Sequence, residues 1–477
     1  TFEKVNVSFS DFDAKGERRM QIAQVFGCGR LNGEVKVSGA KNAATKLLVA
    51  SLLSDQKCTL RNVPDIGDVS LTVELCKSLG AHVSWDKETE VLEIYTPEIQ
   101  CTRVPPTFSN VNRIPILLLG ALLGRCPEGV YVPTVGGDAI GERTLNFHFE
   151  GLKQLGVQIS SDSSGYYAKA PRGLKGNYIH LPYPSVGATE NLILAAIHAK
   201  GRTVIKNVAL EAEILDLVLF LQKAGADITT DNDRTIDIFG TGGLGSVDHT
   251  ILPDKIEAAS FGMAAVVSGG RVFVRNAKQE LLIPFLKMLR SIGGGFLVSE
   301  SGIEFFQERP LVGGVVLETD VHPGFLTDWQ QPFAVLLSQA QGSSVIHETV
   351  HENRLGYLHG LQHMGAECQL FHQCLSTKAC RYAIGNFPHS AVIHGATPLW
   401  ASHLVIPDLR AGFAYVMAAL IAEGGGSIIE NTHLLDRGYT NWVGKLRSLG
   451  AKIQIFDMEQ EELTTSPKSL ALRDASL

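Results

Sequence analysis

The chain of 477 residues carries 42 Lys plus Arg against 49 Asp plus Glu and is 45% apolar, the balance of a folded globular protein rather than a disordered one. That length exceeds what a single core fills and predicts two domains of about 200 residues. A net charge of −7 excludes a general basic face for nucleic acid or an anionic bilayer, so any phosphate must be met by locally placed Lys and Arg.

Residues 1–20, TFEKVNVSFSDFDAKGERRM, are polar, lack the apolar stretch of a secretory signal and read as an N-terminal extension of a cytoplasmic protein. The longest apolar runs, Ile114 to Gly124 and Ala414 to Ala422, fall far short of the roughly 20 residues that cross a bilayer. The eight cysteines have no CxxC spacing. They read as reduced residues, neither a disulfide frame nor a metal site; Cys368, Cys374 and Cys380 are close in sequence, but no CxxC or HxxxH pair accompanies them.

One phrase recurs down the chain: a helical run, Gly, then alternating apolar residues. Its copies are CKSLGAHV, LKQLGVQI, LQKAGADI, LRSIGGGF, LQHMGAEC and LRSLGAKI, with glycines at 80, 156, 225, 293, 365 and 450. A glycine there is expected to be a left-handed helix C-cap leading into a strand. Upstream in the units lies an Ala-rich helix, a Gly-containing turn and a β-branched strand, as in NAATKLLVASLLSDQKCTLRNV and NLILAAIHAKGRTVIKNV. Helices starting near Asn42, Ile114 and Thr189 are apolar nearly all round, which predicts burial in a domain centre. Six α/β units of this size suit three units in each of two domains better than a solenoid. The last spacing, 85 residues, is the longest, and its excess falls in Phe371 to Ile406, read as a surface insertion.

Chemistry-bearing residues fall where the repeat predicts loops. SGAKNAA places Lys41 and Asn42 at a helix start, where Lys41 could meet an anion or simply precede a capping Asn. PTVGGDAIGER holds Asp138 between glycines and before Arg143, either a ligand-covering loop or a plain turn. YPSVGATEN opens another helix with Ser185, Val186 and Gly187, suited to a phosphate or to ordinary capping. Further on come HPGFLTDWQQPF with Asp328, ENRLGY with Arg354, VIPDLRAGF with Asp408 and Arg410, and LDRGY with Asp436 and Arg437. One Asp-Arg neighbour pair is more often a structural salt bridge than a site. Repetition of Lys41, Arg113, Arg143, Arg354, Arg410 and Arg437 near unit starts or turns raises the functional reading, a cationic pocket in an acidic protein suited to a doubly anionic small substrate.

On AKNAA, VGGDAIGER, PSVGATEN, LPDKIEA, HPGFLTDWQ, ENR, PDLR and DRGY, in that order from about Leu31 to Ile455, the chain resembles the enolpyruvyl transferase family. The resemblance implies an inside-out α/β barrel of two domains, six repeated α/β units, three per domain. One domain takes residues 21–40 and 254–457, the other 41–253 with the Asp138 loop, and 458–477 form a flexible tail. The Lys41-Asn42 pair, where the shikimate-pathway branch has Lys-Ser, points to the branch that acts on a sugar nucleotide. The implied reaction moves the enolpyruvyl group of phosphoenolpyruvate to the 3-hydroxyl of UDP-N-acetylglucosamine, releasing phosphate at the first committed step of peptidoglycan synthesis. No metal and no organic cofactor is implied. Asp328 is the implied base, and Lys41, Asn42, Arg143, Arg354, Arg410 and Arg437 the phosphoenolpyruvate ligands, with Lys41 and Arg410 also catalytic. Asn42, Arg113, Thr144, Leu145, Asn146, Ser185, Val186, Gly187, Glu190 and Asp328 lie along the sugar nucleotide.

Asp138 stands where the family usually has a cysteine, which makes it the implied acid and implies resistance to the thiol-alkylating epoxide fosfomycin. Thr144, Leu145 and Asn146 replace the usual Pro-x-Asp beside the uracil, Leu326 stands where Pro is common, and the insertion is unusual. These departures motivate two alternatives: an enolpyruvyl transferase that takes another uridine nucleotide in secondary metabolism, and a non-catalytic nucleotide-binding paralogue.

Overall fold

The computed structural model describes residues 20–137, 140, 141, 144–376, 380, 382 and 385–458, so most of the extension and of the tail lie outside the described residues. All six repeat glycines have positive φ, from 94° at Gly156 to 111° at Gly293. Each ends a helix and starts a strand: His82–Asp86, Gln158–Asp162, Asp227–Asp231, Gly294–Ser299, Glu367–Phe371 and Lys452–Met458. A residue with a Cβ pays for that backbone, which is why one glycine marks every unit.

Among the described residues the strands form six small sheets, five of four strands and one of three. In the sheet built on Asn32–Lys36, that strand runs parallel to Arg271–Arg275, which pairs antiparallel with Gly302–Gln307, itself antiparallel to Gly294–Ser299. Three units borrow a strand from elsewhere in the chain: Arg271–Arg275 takes Asn32–Lys36 and Cys58–Arg61 takes Val247–Thr250, each as its parallel neighbour, and the last unit takes Met20–Phe26 between Gly426–Glu430 and Lys452–Met458. The two chain crossings this requires lie side by side, tied by Ala40 N donating to Leu252 O at 2.8 Å and Asp254 N donating to Ser38 O at 2.9 Å.

Buried apolar residues form two cores. One gathers Ala23 to Val37 with Ile256 to Ile453, the other Ala40 to Ile251. Helices occupy the middle of each: Lys41–Ala50, Leu118–Leu123 and Val186–Ala196 in one, Lys255–Val267, Gln330–Ser338 and Leu409–Ile421 in the other. All nine residues of Gln330–Ser338 are buried, so that helix has no solvent face; its centre Phe333 to Leu337 is wholly apolar, and the buried amide of Gln330 and hydroxyl of Ser338 donate to Glu348 and Val335 O. Outer helices are amphipathic instead. Ile283–Ser291 buries Phe285, Leu286 and Leu289 while Ile283 is exposed. The strands alternate exposed and buried residues, so the sheets form the outside and the helices the inside of each half.

Phe371 to Ile406 is not a surface insertion as a whole. Ser390–Gly395 is an inner strand of its sheet, paired on both edges, with Ser390 and Ala391 fully buried. The extra length is the hairpin connection between Phe371 and Ser390; the corresponding hairpin in another unit turns between Ser299 and Gly302. Composition rich in Cys, His, Pro and Gly hides a core strand when most of those residues belong to its flanking connection.

Candidate active site

A cleft of about 420 Å³ opens where the two halves face each other, and its walls come from both cores. Lys41 is the first residue of its helix, and Ala40 at the N-cap offers no side-chain cap, so the helix N-terminus faces the cleft uncapped by Asn42. Lys41 Nζ lies 2.7 Å from Asp68 Oδ2, and across the cleft Arg437 Nε lies 3.1 Å from Asp68 Oδ1. Asp68 is 5% exposed. Burial alone raises its pKa, but Lys41 and Arg437 outweigh that and hold the carboxyl well below the usual carboxylate range.

A second carboxylate, this one half-buried, repeats this arrangement in the other half. Asp328 sits in the short turn Thr327–Trp329 that leads into Gln330–Ser338, with Arg354 Nη2 at 2.5 Å and Arg410 Nε at 3.5 Å. Burial raises its pKa too, and the two guanidinium groups again win, so it stays ionised and strongly held. Arg354 Nη1 also donates to Thr327 Oγ1 at 2.9 Å. Arg410 is 4% exposed, and its Nη1 has no hydrogen-bond partner among the described residues. A buried, unfilled guanidinium donor at a cleft wall is costly to keep unless an anion completes it.

The sequence-adjacent acids do other work. Asp408 caps Leu409–Ile421, accepting from Arg410 N at 2.8 Å and Ala411 N at 3.1 Å, which sets Arg410 on the first turn. Asp436 accepts from Trp442 Nε1 at 3.1 Å. Arg410 and Arg437 instead reach the distant carboxylates Asp328 and Asp68.

A third cluster lines the far wall. Lys255 Nζ meets Glu213 Oε2 at 2.7 Å with both side chains buried, and Lys46 Nζ stands 3.9 Å from Glu190. Burial, with Glu213 and Glu211 nearby and only Lys46 opposing, pushes Glu190 up to about 7. Glu211 is raised by burial as well and accepts from His322 N at 3.3 Å across the halves.

The cleft brings together Lys41, Asn42, Arg113, Thr144, Ser185, Val186, Gly187, Glu190, Asp328, Arg354, Arg410 and Arg437. Ser185 Oγ is also the N-cap of its helix, accepting from Ala188 N at 3.4 Å, so the capping reading holds for that hydroxyl. Leu145 and Asn146 do not line the cleft: Leu145 is buried in the core and Asn146 is exposed at the start of Asn146–Gln154. Asp138 and Arg143 lie outside the described residues. Asp68, Lys46, Glu211, Glu213 and Lys255 escaped the sequence reading. Asp68 carried a signal: it shares with Val69, Thr72, Val73 and Cys76 the buried face of Gly67–Ser78, an odd place for a lone carboxylate.

The family signature of EPSP synthase (3-phosphoshikimate 1-carboxyvinyltransferase) matches residues 25–446, and the chain belongs to this family of enolpyruvyl transferases. Within it, the chain is 76% identical over 440 residues to a UDP-N-acetylglucosamine 1-carboxyvinyltransferase of Chlamydia abortus, covering 92% of this chain and 99% of that one. A protein of the same name from Protochlamydia amoebophila is 56% identical over 445 residues, 92% of this chain and 96% of its own. Among solved structures, the enolpyruvyl transferase NikO from Streptomyces tendae shares the fold, with a TM-score of 0.80 at 22% identity over 92% of this chain and 100% of that chain.

Proposed function

We propose that this chain transfers the enolpyruvyl group of phosphoenolpyruvate to the 3-hydroxyl of UDP-N-acetylglucosamine and releases phosphate, in the cytoplasm, at the entry to peptidoglycan synthesis. The observation that carries this reading is the cleft in which Asp328 is held by two buried guanidinium groups, one with an unfilled donor, in a chain 76% identical to a protein named for this reaction.

Arg354 and Arg410 take the donor's anionic groups on one side, and Lys41, Arg437 and Arg143 take them on the other. As the substrate anion draws Arg354 and Arg410 away, Asp328 loses the charges that keep it a weak base, and its proton affinity rises when it is needed. Asp328 then accepts the hydroxyl proton as the sugar oxygen bonds to C2 of phosphoenolpyruvate, and Asp138 delivers a proton to C3, giving a tetrahedral ketal. Elimination reverses the C3 protonation, breaks the C2–O bond to phosphate and restores the vinyl group. Positioning and fixed charge supply the rate.

Of the three residues that set this chain apart beside the uracil, only Thr144 reaches the cleft wall. That weakens the motive for a different acceptor. Phosphate release from phosphoenolpyruvate, followed across UDP-N-acetylglucosamine, other uridine nucleotides and shikimate 3-phosphate, is expected to need UDP-N-acetylglucosamine. Faster release with another acceptor, or none with any, would overturn the reading.

A further inference from the structure

The long hairpin connection between Phe371 and Ser390 brings together residues that have no part in the cleft chemistry. His347 ends the strand Gly342–His347, and His389 directly precedes Ser390–Gly395, which pairs with it so that His347 lies opposite Ser390. Both histidines are fully buried, with ring centroids 5.5 Å apart. Into the space beside them the connection delivers two thiols: Cys374 Sγ is 3.4 Å from Cys380 Sγ and 3.3 Å from His389 Nε2. Ligand atoms of His347, Cys374 and Cys380 all lie within 4.8 Å of one another. The cysteines are not in a disulfide.

How the rings are held supports a metal more strongly than proximity does. His389 Nδ1 lies 2.9 Å from Phe387 O, so that nitrogen carries the proton and Nε2 offers its lone pair toward Cys374. His347 Nδ1 is held at 2.8 Å by Ser390 Oγ, and its buried Nε2 has no hydrogen-bond partner among the described residues. Each imidazole thus has an outer partner on Nδ1 and an unused or thiol-facing Nε2, the arrangement that orients histidine ligands. Without a metal, an orphaned buried nitrogen and two thiols packed against each other are an expense with no return. A tetrahedral zinc ion sets its nitrogen and sulfur ligands about 3.3–3.8 Å apart; His347, Cys374 and Cys380 already converge near that span, and His389 Nε2 joins them through its 3.3 Å approach to Cys374.

We propose that His347, Cys374, Cys380 and His389 bind one zinc ion. Two nitrogens and two thiolates, with no carboxylate, select zinc over magnesium or calcium, and four protein ligands leave no open position, so the role is structural. On binding, the two thiols lose their protons to solvent and the two thiolates neutralise the ion. The ion pins the connection to the sheet. Tyr382, carried on that connection, donates to Val350 O at 2.7 Å and lines the cleft near Glu352 and Arg354, so the same clamp steadies one wall of the cleft. Spacing concealed the set, because the histidines come from two strand ends rather than from a paired motif.

The test is metal content of the full-length protein purified under reducing conditions without chelator. We expect about one zinc per chain, retained through dialysis, lost in Cys374→Ser and Cys380→Ser, and kept in Cys101→Ser, which lies outside the cluster. Should the variants fold poorly, cobalt added to the metal-free wild type reports directly, through thiolate-to-cobalt charge transfer and the intense visible bands of tetrahedral cobalt. A wild type that is isolated without zinc and gives no such spectrum, a zinc content equal in all four proteins, or a Cys374–Cys380 disulfide in the reduced preparation would each overturn the proposal.

Discussion

Asp68 and Asp328 are the same electrostatic object built twice. Each is a carboxylate between two cations, buried at Asp68 and half-buried at Asp328, with a pKa held below the usual range against the pull of desolvation. They differ in where the cations come from. Lys41 and Asp68 belong to one half and Arg437 to the other, so that cluster bridges the cleft, whereas Asp328, Arg354 and Arg410 all lie in one half. Arg410 also keeps an unfilled donor. In the proposed mechanism this difference divides the work: Asp68 holds cations in place for the donor, while Asp328 is the base restrained until the donor arrives.

The largest expected effect separates the two by turnover. Asp328→Asn removes the proton acceptor and should slow turnover by about 100-fold or more, with donor binding kept because Arg354 and Arg410 are freed for it. Asp68→Asn should instead raise the KM for phosphoenolpyruvate by about tenfold, since Lys41 and Arg437 lose their common anchor, and lower stability by roughly 1–3 kcal/mol. Thermal unfolding and steady-state kinetics check both. In the wild type both carboxylates have depressed pKa values, so each contributes stability present above about pH 4 that is lost as pH falls below it; each Asn variant should flatten that acid limb.

Asp138 gives the next contrast. With a carboxylate for a thiolate, the wild type is expected to survive fosfomycin while turning over, and Asp138→Cys to become sensitive to it. Covalent inactivation of the wild type, read by mass spectrometry, would remove Asp138 from the acid's place.

The smallest effect belongs to the far wall. Glu190, pushed up to about 7, is neutral below that pH and charged above it, so sugar-nucleotide KM should rise severalfold as pH climbs through neutrality, and Glu190→Gln should abolish the rise. The linkage sign is opposite to that of Asp68: a raised carboxyl binds more protons folded than unfolded, so its contribution to stability is present below about pH 4.5 and is lost as pH rises to 7.

How much of this was legible in the sequence depends on whether the signal is local. Glycine C-caps are, because one residue's backbone demand shows in one residue, and they give the six units and the helix-to-strand order. Lys41, Arg354, Arg410 and Arg437 were also visible, since each sits at a helix start or turn. Which acid each would meet was not: Arg437 pairs with a residue 369 positions away and ignores the pattern suggested by its neighbour Asp436. Glu211, Glu213 and Lys255 stand at helix starts, where charges are common, and the packing of two cores against one cleft is what gives them a shared wall. The surroundings of the hairpin cysteines were not legible for the same reason, because strand pairing brings His347 and His389 beside them.

The most direct test is single-turnover phosphate release at saturating concentrations of both substrates, run side by side on Asp328→Asn and Asp68→Asn. The account predicts that Asp68→Asn recovers to near the wild-type rate once the donor saturates, while Asp328→Asn remains slow by about 100-fold. Equal losses in the two variants at saturation, or a fast Asp328→Asn, would contradict it.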